Sequence, residues 1–200
     1  MTRLPLRTLG LAGALMLAPS LAFAHTGVGD AHGFMHGFMH PIGGLDHVLA
    51  MVAVGMLAWQ IGGRAVYMLP LTFMVLMAGG GVAGMMGMTL PYVELGIALS
   101  VVVLGAAVAL GVKAPLAVSM VLVGLFAIFH GHAHGAEMPE TASGFAYGAG
   151  FILATGLLHL AGIGVGFGIG RLAERHGPAL MRGAGAAVSV AGLGLVLGAL

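Results

Sequence analysis

Long apolar runs, broken only briefly, leave this chain essentially one architecture. They lie near Leu45–Ile61, Ala65–Met86, Tyr92–Gly111, Pro115–His134, Gly144–Gly170 and Ala179–Leu200. Each is close to the ~20 residues that a helix needs to cross the hydrocarbon of a bilayer. A chain of 200 residues that is 60% hydrophobic and 6% charged cannot hide that much apolar surface in a water-soluble core. The expected fold is therefore all-α, a polytopic membrane bundle of about six transmembrane helices. Cysteine is absent, which removes disulfides, thiolate metal sites and cysteine nucleophiles. Any transition metal must then be held by nitrogen, oxygen or thioether. With a formal net charge of +1 and no basic patch, nothing in the chain suits a nucleic acid.

The beginning of the chain reads as a secretory signal peptide. Arg3 and Arg7 form its positive region, Leu9 to Leu17 its apolar stretch, and Ala22-Phe23-Ala24 a small-residue cleavage site. The alternative is an uncleaved first span, against which the cleavage site argues. Cleavage leaves His25 first in the mature chain, with a free amine and an imidazole able to chelate a metal together. Three segments are expected: a signal peptide (1–24), a histidine-rich external N-terminal arm (25–44) and a six-helix transmembrane domain (45–200). Once Arg3 and Arg7 are gone, the basic residues are Arg64 and Lys113, in the breaks after the first and third spans, and Arg171, Arg175 and Arg182, which flank the break after the fifth. The other breaks, Gly87–Pro91 and Gly135–Ser143, carry none. The positive-inside rule puts the basic breaks in the cytoplasm and both termini outside. A cleaved signal independently demands an external N-terminus.

Glycine is abundant, 37 residues, often at small-xxx-small spacing as in Gly144 and Gly148. In lipid this spacing lets helix backbones approach closely, so bundle packing accounts for nearly all of them. The 15 methionines are expected mainly to pack or face lipid.

Histidine is the residue that packing does not explain. A tandem repeat, His32-Gly33-Phe34-Met35-His36-Gly37-Phe38-Met39-His40, would align its imidazoles on one side of a helix, although its glycines disfavour a stable helix before metal binds. A flexible, metal-collecting arm carrying His25, His32 and His36 is the preferred expectation, and an interfacial segment with its phenylalanines among the headgroups fits equally. Next comes His40-Pro41-Ile42-Gly43-Gly44-Leu45-Asp46-His47. In an unbroken helix His40 and His47 would stand about 10.5 Å apart along the axis, too far to share an ion. Pro41 and the glycine pair favour a bent, non-helical approach that folds His40 back toward Asp46 and His47. An Asp-His pair at a span is costly unless it is paired or wetted, which marks it as functional, while a helix cap by Asp46 is the structural alternative. The second cluster is Phe129-His130-Gly131-His132-Ala133-His134-Gly135-Ala136-Glu137. Helical spacing puts His130, His134 and Glu137 on one stripe and turns His132 elsewhere.

On these residues the chain resembles the HupE/UreJ family of nickel and cobalt permeases. His40, five residues and Asp46-His47, together with Phe129 to Glu137, match the two signature motifs of that family. The likeness extends over essentially the whole chain, through Pro91-Tyr92-Val93-Glu94 before the third span and Ala154-Thr155-Gly156-Leu157-Leu158-His159 in the fifth. No signature position is missing. The resemblance implies import of Ni2+ or Co2+ across the bacterial inner membrane, supplying hydrogenase, urease or cobalamin synthesis. It also implies a non-enzymatic protein in which the metal is cargo, with no prosthetic group. The lipid bilayer and the divalent ion are the expected partners, nucleic acid is not, and an oligomer is allowed. The additional arm histidines inherit no family role.

His40, Asp46 and His47 with His130, His134 and Glu137 are thus expected to form an external or mid-depth site. Glu94 and His159 are candidates for a supporting shell or a deeper relay. A helix N-terminal charge effect for Glu94 and an interhelical hydrogen bond for His159 compete with those roles. Imidazole and carboxylate suit Ni2+, Co2+ and Zn2+, and bare affinity would favour copper, so selectivity must come from geometry and metal supply. Protonation of imidazole displaces a metal and so ties release to pH. No nucleotide-binding motif is present, so an energising ATPase would be another chain. Two rivals stand beside this one. An intramembrane zinc-dependent hydrolase would use His130, His134, His47, Asp46 and Ser143 to activate water. A metal sensor or store would need an output domain, which the short loops leave no room for.

Overall fold

The computed structural model describes residues 29–138, 143–172 and 176–200. Among them the chain forms seven helices and no strand: α1 (Gly29–Gly43), α2 (Leu45–Ile61), α3 (Ala65–Met85), α4 (Val93–Ala109), α5 (Leu116–Ala136), α6 (Gly144–Leu172) and α7 (Gly177–Val196). Helices α2 to α7 fall on the six apolar runs, with ends displaced by four residues at most. The expected signal peptide, His25, Arg175 and the His32 side chain lie outside the described residues. Helices α3, α5, α6 and α7 are each long and apolar enough to cross a membrane. Helices α1 and α2, bent by 80° at their junction, qualify together as a broken fifth, and the 17-residue α4 is shorter. Both α3 and α4 stop at a glycine in the left-handed region, Gly87 (φ 71°) and Gly111 (φ 68°). A side chain is rarely tolerated there, so these breaks are written into the sequence.

Helix α2 is the centre of the bundle and touches α1, α3, α4, α6 and α7. Around it α3 lies along α5, α4 along α7, and α6 along both α1 and α2. These seams are close because glycines face backbone. A Cβ on Gly80 or Gly84 of α3 would collide with the carbonyl oxygens of Ile128 or His132, and one on Gly131 or Gly135 of α5 with those of Met77 or Gly81. The expected packing role of glycine is met along these seams but not at Gly148 of the Gly144 and Gly148 pair, where a Cβ would meet nothing within 4 Å. Met51, Met56 and Met77 are fully buried packing side chains, as expected of methionine here.

Two expectations about the N-terminal arm need correction. From Gly29 on, the histidine repeat is helical, and it lies against α6 instead of forming a flexible arm. The reason is tertiary: Gly37 meets the Tyr147 carbonyl, and Gly150 of α6 meets that of Phe34. The glycines that lower intrinsic helix propensity are the ones that allow this contact, and packing outweighs propensity. The approach to α2 is also not unwound, because α1 runs through Pro41 to Gly43. Pro41 sits in the last turn, where it removes the one N–H that would bond the Gly37 carbonyl and leaves the earlier turns of the ladder intact. The whole change of direction falls on Gly44, which is extended (φ −94°, ψ 119°).

The charges divide along the bundle. Lys113, Arg171 and Arg182 border a cavity of about 660 Å3 with Trp59 and Gln60 at the C-terminal end of α2. The histidine motifs meet at the other end of the same helix.

Candidate metal centre

The bend at Gly44 brings α1 back over the start of α2 and encloses a cavity of about 450 Å3. Its walls carry His36 and His40 from α1, Asp46 and His47 from α2, Glu94 from α4, and His134 and Glu137 from α5. Three of the six carboxylates of the chain line this one space. A Cβ on Gly44 would stand 2.7 Å from Asp46 Oδ1 and 2.9 Å from His47 Nδ1, so a side chain there would push the Asp46 and His47 side chains out of their present positions.

Asp46 holds His47. Its Oδ1 accepts the His47 backbone N–H at 2.7 Å and the ring Nδ1–H at 2.6 Å. A carboxylate on one ring nitrogen fixes the tautomer and makes the other nitrogen a better metal ligand. That other atom, Nε2, is buried without a hydrogen-bond partner among the described residues. Asp46 therefore does more than favour a helix start by its charge.

His47 is ringed by imidazoles, with the His134 ring centroid at 4.4 Å and that of His130 at 4.7 Å. The His40 ring lies 4.6 Å from His134, and His36 6.1 Å from His40 at the mouth. His40 Nε2 is 3.5 Å from Glu137 Oε2. One ligand atom from each of His40, His134 and Glu137 lies within 4.8 Å of the others. Ligands about 2.1 Å from one ion stand no more than ~4.2 Å apart, so this set is within a few tenths of an ångström of a shared coordination sphere.

The expected single stripe of His130, His134 and Glu137 is split between two depths. His134 and Glu137 face the cavity, whereas His130 is fully buried behind His47. The Ser100 hydroxyl donates to the Ile97 carbonyl (2.6 Å) and so accepts from His130 Nε2–H (3.0 Å). This leaves the His130 Nδ1 lone pair free, and that atom has no hydrogen-bond partner among the described residues. Both ring nitrogens of His134 are likewise unpartnered. His132 turns away, as expected, and bonds the Met88 carbonyl in the loop after α3. Glu94 lines the cavity and also sits in the first turn of α4. His159 lies deeper and outside the cavity. Ser143, named for the hydrolase alternative, caps α6 through the Ala146 N–H at 3.4 Å.

Ser100, Phe73, Tyr147 and Phe151 were not singled out by sequence reasoning. The Tyr147 ring is 6.2 Å from His40, and Phe151 is 4.1 Å from His134. Their i, i+4 spacing with Thr155 and His159 was the signal available for the two on α6. Ser100 gave no signal, being one hydroxyl in an apolar run.

An all-helical bundle with several membrane-crossing helices, and with imidazole and carboxylate gathered at one end, defines a multi-pass membrane protein of the metal-handling kind. The chain belongs to the HupE/UreJ family, whose model, described as HupE / UreJ protein, matches residues 13–195. It is 47% identical over 188 residues to Protein HupE of Rhizobium leguminosarum bv. viciae, across 92% of this chain and 95% of that protein. No solved structure matches it.

Proposed function

We propose that the chain is a permease that carries a divalent transition-metal ion, nickel first and cobalt second, inward across the inner membrane. The single observation that carries this is the buried, unpartnered Nε2 of His47, a ring held by Asp46 beside those of His134 and His130. A nitrogen held this way inside an apolar bundle has a lone pair to offer and no protein donor to receive it. Cargo enters past His36, is taken by His40, His134 and Glu137, and passes to His47 and His130. Six spans, α2 to α7, build the path. The 17 residues of α4 give about 25 Å of helix, close to a ~30 Å core, which a modest local thinning accommodates. Both termini face the periplasm and the basic end faces the cytoplasm. Metalloenzyme maturation is the expected consumer of the ion.

The test is uptake of radiolabelled Ni2+ and Co2+ into proteoliposomes containing the full chain, with and without a pH gradient. Accumulation above that of empty liposomes is expected for both ions. No accumulation of either sinks the proposal. His36 at the mouth leads to a second expectation. His36→Ala should reduce uptake several-fold at low external metal and leave it unchanged at saturating metal, a change in KM with kcat preserved. An equal loss at all concentrations would instead put His36 in the permeation step.

A further inference from the structure

His159 is an imidazole for which packing supplies no role. It is 1% exposed near the middle of α6, and neither ring nitrogen has a hydrogen-bond partner among the described residues. The interhelical hydrogen bond that would make it structural is thus not formed there. An unpartnered polar group in an apolar bundle costs free energy, and an ionisable side chain at this depth is a functional candidate.

Its surroundings continue inward from the cavity. Tyr147, Phe151, Thr155 and His159 form one stripe at i, i+4 spacing on α6. Successive members meet His40, His134, the Met77 sulfur and Phe73. Each step is about 6 Å deeper, so His159 lies about 18 Å along α6 from the level of Tyr147, past the middle of a ~30 Å core. The Phe73 ring is shared: its centroid is 5.1 Å from His159 and 5.6 Å from His130, the deepest imidazole of the outer cluster. The α6 backbone is fixed at this depth by Gly55 of α2, where a Cβ would collide with the His159 carbonyl oxygen.

We propose that His159 is a second ion position on the path, inward of the outer cluster, with the Phe73 ring as the partition between them. This rests on the permease reading and adds a step to it. The donor is neutral nitrogen, which takes the same borderline divalent ions as the outer site. A single imidazole holds such an ion weakly, as suits a position that must release it.

Ni2+ itself is the probe. Equilibrium titration uses the purified full chain in detergent, in a background carrying His25→Ala, His32→Ala and His36→Ala so that the arm adds no sites. A tight equivalent and a weaker second one are expected. His159→Gln should abolish the weaker equivalent, leave the Kd of the tight one unchanged, and lower proteoliposome uptake at least about 10-fold. His159→Met, which keeps a donor atom, should retain part of the weaker equivalent, and it replaces His159→Gln in the titration if that variant does not fold. A single equivalent in the parent, retention of both in His159→Gln, or uptake at the parent rate in His159→Gln overturns the inference. Each of those results leaves the permease proposal standing, whereas failure of the parent to take up Ni2+ removes the proposal itself.

Discussion

Nickel uptake into proteoliposomes is expected to fall to the empty-liposome level in His47→Ala and by roughly 10–100-fold in Asp46→Asn. The two variants separate a ligand from its support. His47 sits between the cavity and the buried His130, and its free Nε2 is the atom through which an ion would pass from one to the other. Alanine removes that atom, and no neighbouring side chain takes its place. Asparagine at position 46 keeps an oxygen able to accept the ring Nδ1–H but withdraws the negative charge that makes His47 basic. It also weakens the interaction of an acidic side chain with the first turn of α2. Its effect should therefore be partial and should appear mainly as weaker metal affinity. Both variants should insert and elute from a sizing column as the parent does. Parental uptake by correctly folded His47→Ala would remove His47 from the path, and parental affinity in Asp46→Asn would reduce Asp46 to a helix-start residue.

The helices were legible because several of the apolar runs are bounded by a residue with a local reason to stop or start a helix. Gly87 and Gly111 adopt positive φ, and Pro115 and Pro178 stand at the starts of α5 and α7. The outer site was legible for a different reason: His40, Asp46 and His47 can meet only if the chain bends, and the sequence places glycine at the bend. The state of the arm was not legible. Propensity argues against a helix through Gly33 and Gly37, and the opposing contact comes from Gly150 and Tyr147, more than a hundred residues away. Helical spacing does set His130 about 6 Å deeper than His134, but it could not show which of the two the cavity reaches. Spacing fixes a direction around one helix, whereas the depth at which a second helix ends is set by where Gly44 turns α1 and α2.

The separation of charge is consistent with the proposed direction of travel. Asp46, Glu94 and Glu137 line the histidine cavity, while Lys113, Arg171 and Arg182 border the cavity at the far end of α2. A cleft lined by carboxylates draws divalent cations from dilute solution, and basic residues at the opposite end favour the cytoplasmic placement proposed for it. Capture and orientation thus rest on different residues at different ends, and substitutions at one should not disturb the other.

Gly131→Ala is expected to be among the most damaging small substitutions at the described residues. Gly131 lies between His130 and His132 on α5, and a Cβ there would collide with the Met77 carbonyl group and approach the Gly81 nitrogen. All of these are backbone atoms that no rotamer change can move aside. Relief requires α3 and α5 to separate along a seam that Gly80, Gly84 and Gly135 also hold closed. Ordinary overpacking costs about 1–3 kcal/mol, and a rigid collision at the centre of a long seam should reach or exceed the upper end of that range. Because α5 carries His130, His134 and Glu137, the shift would also displace the ligands from His47 and His40. The variant should melt at a clearly lower temperature in detergent and lose metal binding with it, whereas Gly148→Ala, whose added Cβ meets nothing within 4 Å, should do neither. Equal melting temperatures for the two variants would show that the α3–α5 seam is softer than its backbone contacts indicate.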